Sequence, residues 1–453
     1  MPHARLNPSG AKTWAFCSGA PNAEEGLPDR PTESGEEGTV THWLGDTCLV
    51  TGRPPLNFLG TVLFVTADDC IEVAMGGGPY AFEPYKDPAG PPGHLWSITE
   101  TMCEHVQTYL DHCYQLTYYL QEKYPGEPVE TISERRVNPG SLMGRDDCWG
   151  TTDYQAIVAP GEIHIRDFKY VISEVIHPQG NPQLILYALG AWADLSEEQR
   201  DQIEDIYLGI VQPRRPDANG QVVRVVRMSP QDLMIWLDWF TVRASLTDNP
   251  DALRTPSKES CKWCKALPTC YAVTDTVMDV VADVTDLDQP PAKIVDEAEN
   301  LLLADPADID RERLFAILEL APLARDFLKA VVSHCTDLAM DGVPITNHKV
   351  VESNTNRKWK ESPDKVIKRI STNFKIPKKE VIQDEKPKSP AQMEAVIRKH
   401  ELTDRQKKNF QDMIIKPPGK PTLVHESDPR PAMAKTIEDQ TQGMAGAIPG
   451  EQQ

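Results

Sequence analysis

Apolar positions near helical spacing run from about Ser97 to Lys123, where Val106, Tyr109, Leu110, Tyr114 and Leu116 predict one long helix. Then the period changes. Residues 129–137, 148–158 and 162–171 are short, rich in Val, Ile, Tyr and Thr, and bounded by Gly, Pro and Asp, which predicts three strands joined as a meander. Helical patterning returns over Gln183–Asp194, further strands are expected at 204–212 and 221–228, and 230–245 reads as helix. This order predicts a mixed α/β core, not a doubly wound one. At the amino end, Asn7-Pro8-Ser9-Gly10 reads as the start of a helix from Ala11 to Cys17, and a second helix is expected after Gly38, through Leu44. Residues 76–95, rich in Gly and Pro, read as an exposed loop.

Beyond about residue 275 the character shifts. Residues 275–345 are acidic with helical patterning, as in Leu314-Phe315-Ala316-Ile317-Leu318. Residues 346–420 hold 19 Lys/Arg against 10 Asp/Glu, a local charge of +9 in a chain whose total is −21. Such segregation suggests one segment facing a polyanion, with a solvated helical surface as the plainer alternative. The expected divisions are 1–275, 276–345, 346–430 and a disordered tail, 431–453. With 40% hydrophobic and 25% charged residues, wholesale disorder is excluded. No apolar run approaches the ~18 residues a membrane-spanning helix needs. Met1 to Asn7 carries no apolar stretch of the secretory kind, so a cytoplasmic protein is expected, in the host cytoplasm if phage-encoded. The acidic balance excludes an indiscriminately basic nucleic-acid binder but allows a local basic surface.

The strongest chemical constellation begins at Gly150-Thr151-Thr152-Asp153 and continues at Asp167-Phe168-Lys169. Side chains alternate along a strand, so Asp167 and Lys169 share a face while Phe168 enters the core. A hairpin turning at Ala159-Pro160-Gly161 would bring Asp153 to the face of Asp167. Two carboxylates held together repel, and a divalent cation with oxygen ligands is the natural compensation. A lysine two residues on could orient an attacking water and stabilise charge on phosphorus. Taken alone, an Asp-x-Lys triplet is usually surface salt-bridge material. Gln183 and Tyr187 lie one turn apart on an otherwise apolar helix and could look into the same site. His42 could complete an Asp/Asp site for Mg²⁺ or Mn²⁺, although a lone His is more often a core residue.

Ten cysteines are present. Cys48, Cys70, Cys103, Cys113, Cys148 and Cys335 read as small buried filler, because a reduced compartment makes a disulfide framework improbable. Cys261-Lys262-Trp263-Cys264 followed by Cys270 is different: three soft ligands within ten residues. A tetrahedral zinc or a cubane iron–sulfur cluster needs a fourth, and Cys17, just after the first helix, is the expected one.

In order and approximate strand placement, His42, Asp153, Asp167-Phe168-Lys169 and Gln183…Tyr187 resemble the RecB-type nucleases of the PD-(D/E)xK superfamily. The resemblance implies a restriction-endonuclease-like core, a mixed sheet flanked by helices, with a helical C-terminal extension. It implies His42, Asp153 and Asp167 as metal ligands, joined by the Phe168 carbonyl. Lys169 would be the catalytic lysine, with Gln183 and Tyr187 supporting it; Glu134 receives no role. One Cys far upstream and three just after the motifs resembles the iron–sulfur members, the AddB-type and CRISPR adaptation nucleases. A 4Fe–4S cluster on Cys17, Cys261, Cys264 and Cys270 is implied there, with structural zinc as the alternative.

The resemblance covers about residues 5–275 and is nearest to phage- and prophage-encoded members. The implied function is a Mg²⁺- or Mn²⁺-dependent DNA exonuclease in phage recombination, replication or repair, acting on duplex ends or single strands. An endonuclease and an inactive nuclease-fold DNA-binding or assembly protein are the alternatives. Arg357, Lys358, Trp359, Lys360, Lys378 and Lys379 are the expected DNA contacts. No Walker P-loop is present, since Gly10-Ala11-Lys12-Thr13 lacks the Gly before Lys. A phage annealing protein or helicase would therefore be a separate partner.

Overall fold

The protein is described by a computed structural model covering residues 4–28, 32–66, 71–75, 93–282, 311–361, 363–383, 386–400, 402–417 and 419–433. The chain divides into two units, Met1–Phe327 and Leu328–Gln453.

The first unit opens with short helices α1 (Ala11–Trp14) and α2 (Ala20–Glu24), then α3 (Glu33–Thr51). The expected run to Cys17 survives as backbone bonds, from Ala15 to Ala11 and from Cys17 to Thr13. α3 is longer than its apolar stretch predicted because Thr32 caps it, accepting from the Gly35 N–H, and Glu33 and Glu36 sit favourably in its first turn. Strands β1 (Val62–Thr66), β2 (Ile71–Met75) and β3 (Gly93–Ser97) form an antiparallel sheet, ordered β2-β1-β3. The expected loop at 76–95 is therefore corrected at its end: residues 93–95 are strand, pairing with Val65, Thr66 and Phe64 of β1. Buried Glu36 anchors β3 by accepting from the Trp96 indole at 2.9 Å and meeting His94 Nδ1 at 2.8 Å. Residues 76–92 lie outside the described residues, as does Cys70.

Helix α4 (Glu100–Lys123) leads into the main sheet: β4 (Glu130–Val137), β5 (Gly150–Val158), β6 (Gly161–Phe168), β7 (Ile203–Val211) and β8 (Val223–Met228). They lie in that spatial order, and only the β6–β7 pair is parallel. Helix α5 (Pro182–Asp194) makes the crossover that a parallel pair requires, followed by α6 (Glu197–Arg200). After β8 come α7 (Pro230–Leu246), α8 (Lys258–Cys261) and α9 (Tyr271–Ala282). This is the expected mixed α/β architecture, a five-stranded sheet between helices, consistent with a restriction-endonuclease-like core.

Two cores cover the two faces of the sheet. Ile163 and Ile165 of β6 pack with Leu184, Ile185, Leu189, Phe240 and Trp14 from α5, α7 and α1. Phe168, with Tyr154 and Ala156 of β5, packs with Leu44, Val106, Tyr109 and Leu110 from α3 and α4. Every residue of β6 is buried. Charged groups on this central strand therefore have to find partners inside the protein. Cys48, Cys103, Cys113 and Cys148 are buried in these cores as expected of filler, whereas Cys335 is only half-buried.

Helix α10 spans Arg311–Met340. In the second unit, α11 (Pro363–Asn373) contributes Val366, Ile370 and Phe374's neighbourhood to a small core with Ile376, Val381, Met393, Phe410 and Met413. Short strands brace it: Lys358–Trp359 pairs with Ile414–Ile415, and His348–Glu352 with Pro421–His425. Residues 283–310, part of the expected acidic segment, and 434–453, most of the expected tail, lie outside the described residues. Among the described residues, no helix is long and apolar enough to cross a membrane.

Candidate metal centre

The β5–β6 hairpin, turning at Ala159–Gly161, places Asp153 and Asp167 at the end of the sheet that α5 covers. Asp153 lies on β5 and accepts the Phe168 N–H at 2.6 Å, so one carboxylate ties the two strands together. Asp167 is fully buried on β6. Lys169 continues the β6–β7 ladder through its N–H to Val211, and its ammonium lies 2.9 Å from Asp167 Oδ2. Alternation holds: Phe168 turns the other way and stacks on Tyr109 with ring centroids 4.8 Å apart.

Helix α5 supplies the ceiling. Asn181 caps it by accepting the Gln183 N–H, and the amide of Gln183 then bridges three groups. Its Oε1 accepts from Lys169 at 3.0 Å, and its Nε2 lies 3.1 Å from both Asp167 Oδ1 and Tyr187 Oη. From the opposite face α3 sends His42, whose Nδ1 lies 3.3 Å from Asp153 Oδ1 and whose ring stands edge-on to Phe168. The expected residues His42, Asp153, Asp167, Phe168, Lys169, Gln183 and Tyr187 are thus one contiguous group.

One carboxylate joins them that the pattern of residues left without a role. His42, Glu134 and Asp153 each offer a ligand atom within 4.8 Å of the others. Glu134 has φ +46°, a backbone conformation that is unfavourable for any side chain but Gly and Asn and that tends to mark functional positions. In a single sequence it is one more Glu on a half-exposed strand, and only its register opposite Asp153 could have raised it.

Electrostatics follow from crowding acids where water is scarce. Burial pushes Asp167 up to about 6, with Lys169 opposing and Asp153 adding to the rise. Glu134 is pushed up to about 7 by burial and by Asp153. Burial alone would raise Asp153, but His42, Lys169 and the Phe168 N–H hold it below its ordinary value. Burial would likewise depress His42, yet the charge and hydrogen bond of Asp153 raise it to about 9. Asp167 Oδ2 is buried and receives no well-directed hydrogen bond despite the nearby ammonium. A hard divalent cation fits this donor set: carboxylate oxygens in excess, one imidazole, and an incompletely satisfied buried oxygen.

The four expected cysteines also converge. Cys17, Cys261, Cys264 and Cys270 line one enclosed pocket whose remaining wall includes Ala20, Ala23, Pro256, Leu267 and Val273. Two segments far apart in sequence are zipped beside it: Gly19 N–H to Leu253 O, Ser18 Oγ to Leu253 O, and Thr255 N–H to Cys17 Sγ at 3.2 Å. Gly19 is required there, since a Cβ would lie 2.4 Å from the Ala252 carbonyl. Burial raises the Cys17 thiol, and Cys261 and Cys270 raise it further; Cys264 is pushed up to about 12 by burial. Four thiols gathered in one apolar pocket, with Cys17 and Cys264 resisting ionisation singly, suit a metal or cluster that takes them as thiolates together.

The family described as "Protein of unknown function (DUF2800)" matches residues 3–431. The chain belongs to that family. The DUF2800 match spans the acidic centre, the cysteine pocket and the second unit alike, so all three are parts of one family architecture.

In this DUF2800 chain the expected DNA contacts fare unequally. Arg357 is held by Glu394 through both terminal nitrogens, at 2.5 and 2.9 Å. Trp359 is half-buried, donates its indole N–H to Lys388 O and stands edge-on to Phe410. Its ring belongs to the small core. Lys358, Lys360, Lys378 and Lys379 are exposed.

Proposed function

We propose that this protein is a divalent-metal-dependent deoxyribonuclease, with exonuclease action on linear DNA as the leading form. The observation that carries the reading is the Lys169–Gln183–Asp167 arrangement beside Asp153, His42 and Glu134. Phosphodiester hydrolysis needs anionic oxygens to hold a cation and a fixed cation beside the attacking water, and these groups provide both roles.

Mg²⁺ or Mn²⁺ would be held by Asp153, Asp167 and His42, with Glu134 and the Phe168 carbonyl completing the set. When bound, it would polarise the scissile phosphate and neutralise the charge that develops there. The remaining work falls to the chain. Lys169 presents its ammonium at the mouth of the carboxylate pair, where it can orient a water and stabilise its developing hydroxide. Gln183 fixes that ammonium by accepting from it and fixes Asp167 by donating to it, while Tyr187 holds the amide in place. A 4Fe–4S cluster on the four cysteines, or zinc as the second reading, would close the loop from Cys17 to Cys261 and brace the nuclease domain.

The test is digestion of end-labelled linear duplex beside closed circular DNA, with Mg²⁺, Mn²⁺ or EDTA, using anaerobically purified protein. Metal-dependent loss of the linear substrate alone is expected. Cleavage of the circle would make it an endonuclease, and survival of both substrates under every metal would leave a nuclease-fold binding protein.

A further inference from the structure

The second unit sorts its cations into two kinds. Some are tied down: Arg357 by Glu394, Arg369 by Glu361 at 2.5 Å, Arg430 by Asp428, and Lys349 by the Asp428 carbonyl. On α11 the arrangement differs. Val366, Ile367 and Ile370 turn into the core, so positions at the complementary helical spacing face water. Lys365, Lys368 and Thr372 occupy them, each exposed and about one turn from the next. With Glu361, Arg369 and Asn373 they line one shallow groove. Among the described residues neither lysine has a carboxylate partner. Lys375 continues the exposed basic row just beyond the helix.

The geometry points to the outer face of α11 as a binding site for a nucleic-acid backbone, with Lys365 and Lys368 on phosphates and Thr372 as a hydroxyl donor. Three physical features select that partner. The row lies in a segment carrying +9 within a chain of −21, so the attraction is local and not a property of the whole surface. No large apolar side chain of α11 is exposed, whereas a protein interface of useful affinity centres on buried aromatic or aliphatic anchors. Lysines and a threonine without such anchors are the chemistry of phosphate contact. Arg369, locked to Glu361 beside them, gives the groove a fixed wall.

This deepens the nuclease reading and rests on it only for the identity of the polyanion. The decisive experiment is fluorescence anisotropy of a labelled single strand and a labelled duplex in EDTA, over a range of KCl, with the full chain. Lys365→Glu/Lys368→Glu is expected to weaken binding at least about ten-fold and to lower the log–log salt slope by about 2. Lys365→Ala/Lys368→Ala, with an unchanged melting curve, should show a smaller loss in the same direction. Wild-type affinity in the charge-reversed protein overturns the site. So does an equal loss for labelled poly-glutamate, which marks a general polyanion face, and so does a wild type that binds no nucleic acid at low salt. Cleavage is scored separately: binding through α11 without metal-dependent digestion sinks the nuclease reading and leaves this one standing.

Discussion

Glu134 and Asp153 oppose each other across the β4–β5 ladder: Ser133 pairs with Tyr154 and Arg135 with Thr152, leaving these two acids facing between them. Their carboxylates join His42 within 4.8 Å, and the φ of +46° at Glu134 interrupts the strand where they meet. Like charges so placed destabilise the metal-free protein and favour whatever cation relieves them.

Glu134→Gln should accordingly separate stability from function. The metal-free variant is expected to melt at or above the wild-type temperature, since one of two facing like charges is gone. Mn²⁺ affinity and cleavage rate should each fall by about 10–100-fold. Calorimetric titration with Mn²⁺ beside a thermal melt reads both; unchanged affinity would remove Glu134 from the metal set.

Lys169 and Gln183 should differ in kind. Asp167→Ala and Lys169→Ala are expected to abolish cleavage with the fold intact. Gln183→Leu, which leaves the ammonium and Asp167 Oδ1 without their shared partner, should lower kcat by about 10–100-fold. The split is read by kcat against KM on linear DNA, where Gln183→Leu should leave KM nearly unchanged, as a positioning role requires.

The cysteine pocket predicts colour. Protein purified without oxygen should be brown and absorb near ~400 nm if a cubane cluster is held, and colourless if zinc is. Cys264→Ser should lose the metal and gain protease sensitivity within the first unit, because metal affinity contributes folding free energy. Full iron content with full protease resistance in that variant would exclude Cys264 as a ligand.

A buried polar chain beneath α4 predicts acid sensitivity. Arg166 donates to His112 Nε2 at 2.9 Å and to His164 Nδ1 at 3.1 Å, and His164 Nε2 reaches Glu162, which pairs with Lys123. Burial and then the Arg166 charge lower His112 to about 4, and burial lowers His164. A histidine depressed in the fold takes up its proton first in the unfolded chain. The contribution of these two histidines to stability should thus be level above about pH 6.5 and fall by about 1–3 kcal/mol as pH drops towards 4. Thermal melts across that range, with His112→Gln flattening the curve, check it.

Gly150 predicts a steric cost close to the centre. A Cβ there would lie 2.7 Å from Pro8 and 3.2 Å from the Tyr187 ring. Gly150→Ala should destabilise by about 1–3 kcal/mol and lower activity through Tyr187, read by denaturant melts and turnover together.

Much of this was legible along the chain because the relevant signals are local and periodic. Alternation about Phe168 put Asp167 and Lys169 on one face, and the Gly/Pro turn after Val158 made the hairpin that carries Asp153 to them. The one-turn spacing of Gln183 and Tyr187 on an apolar helix was enough to aim both inward. The sulfur spacing from Cys261 to Cys270 marked out three of the four thiols that the fold gathers in one pocket. What tertiary structure alone decided concerns pairs far apart in sequence, whose meeting depends on register and packing. Glu134 acquires meaning only through the residue opposite it, and Thr32 lengthens α3 by a cap that an apolar pattern does not register. Gly93–Ser97 becomes strand because Glu36 and β1 are there to receive it. Trp359 and Arg357 look like nucleic-acid contacts in one dimension, but a small core claims the indole and Glu394 claims the guanidinium. Charge and composition are properties of a segment, whereas which charges remain available is settled by what the fold has already paired.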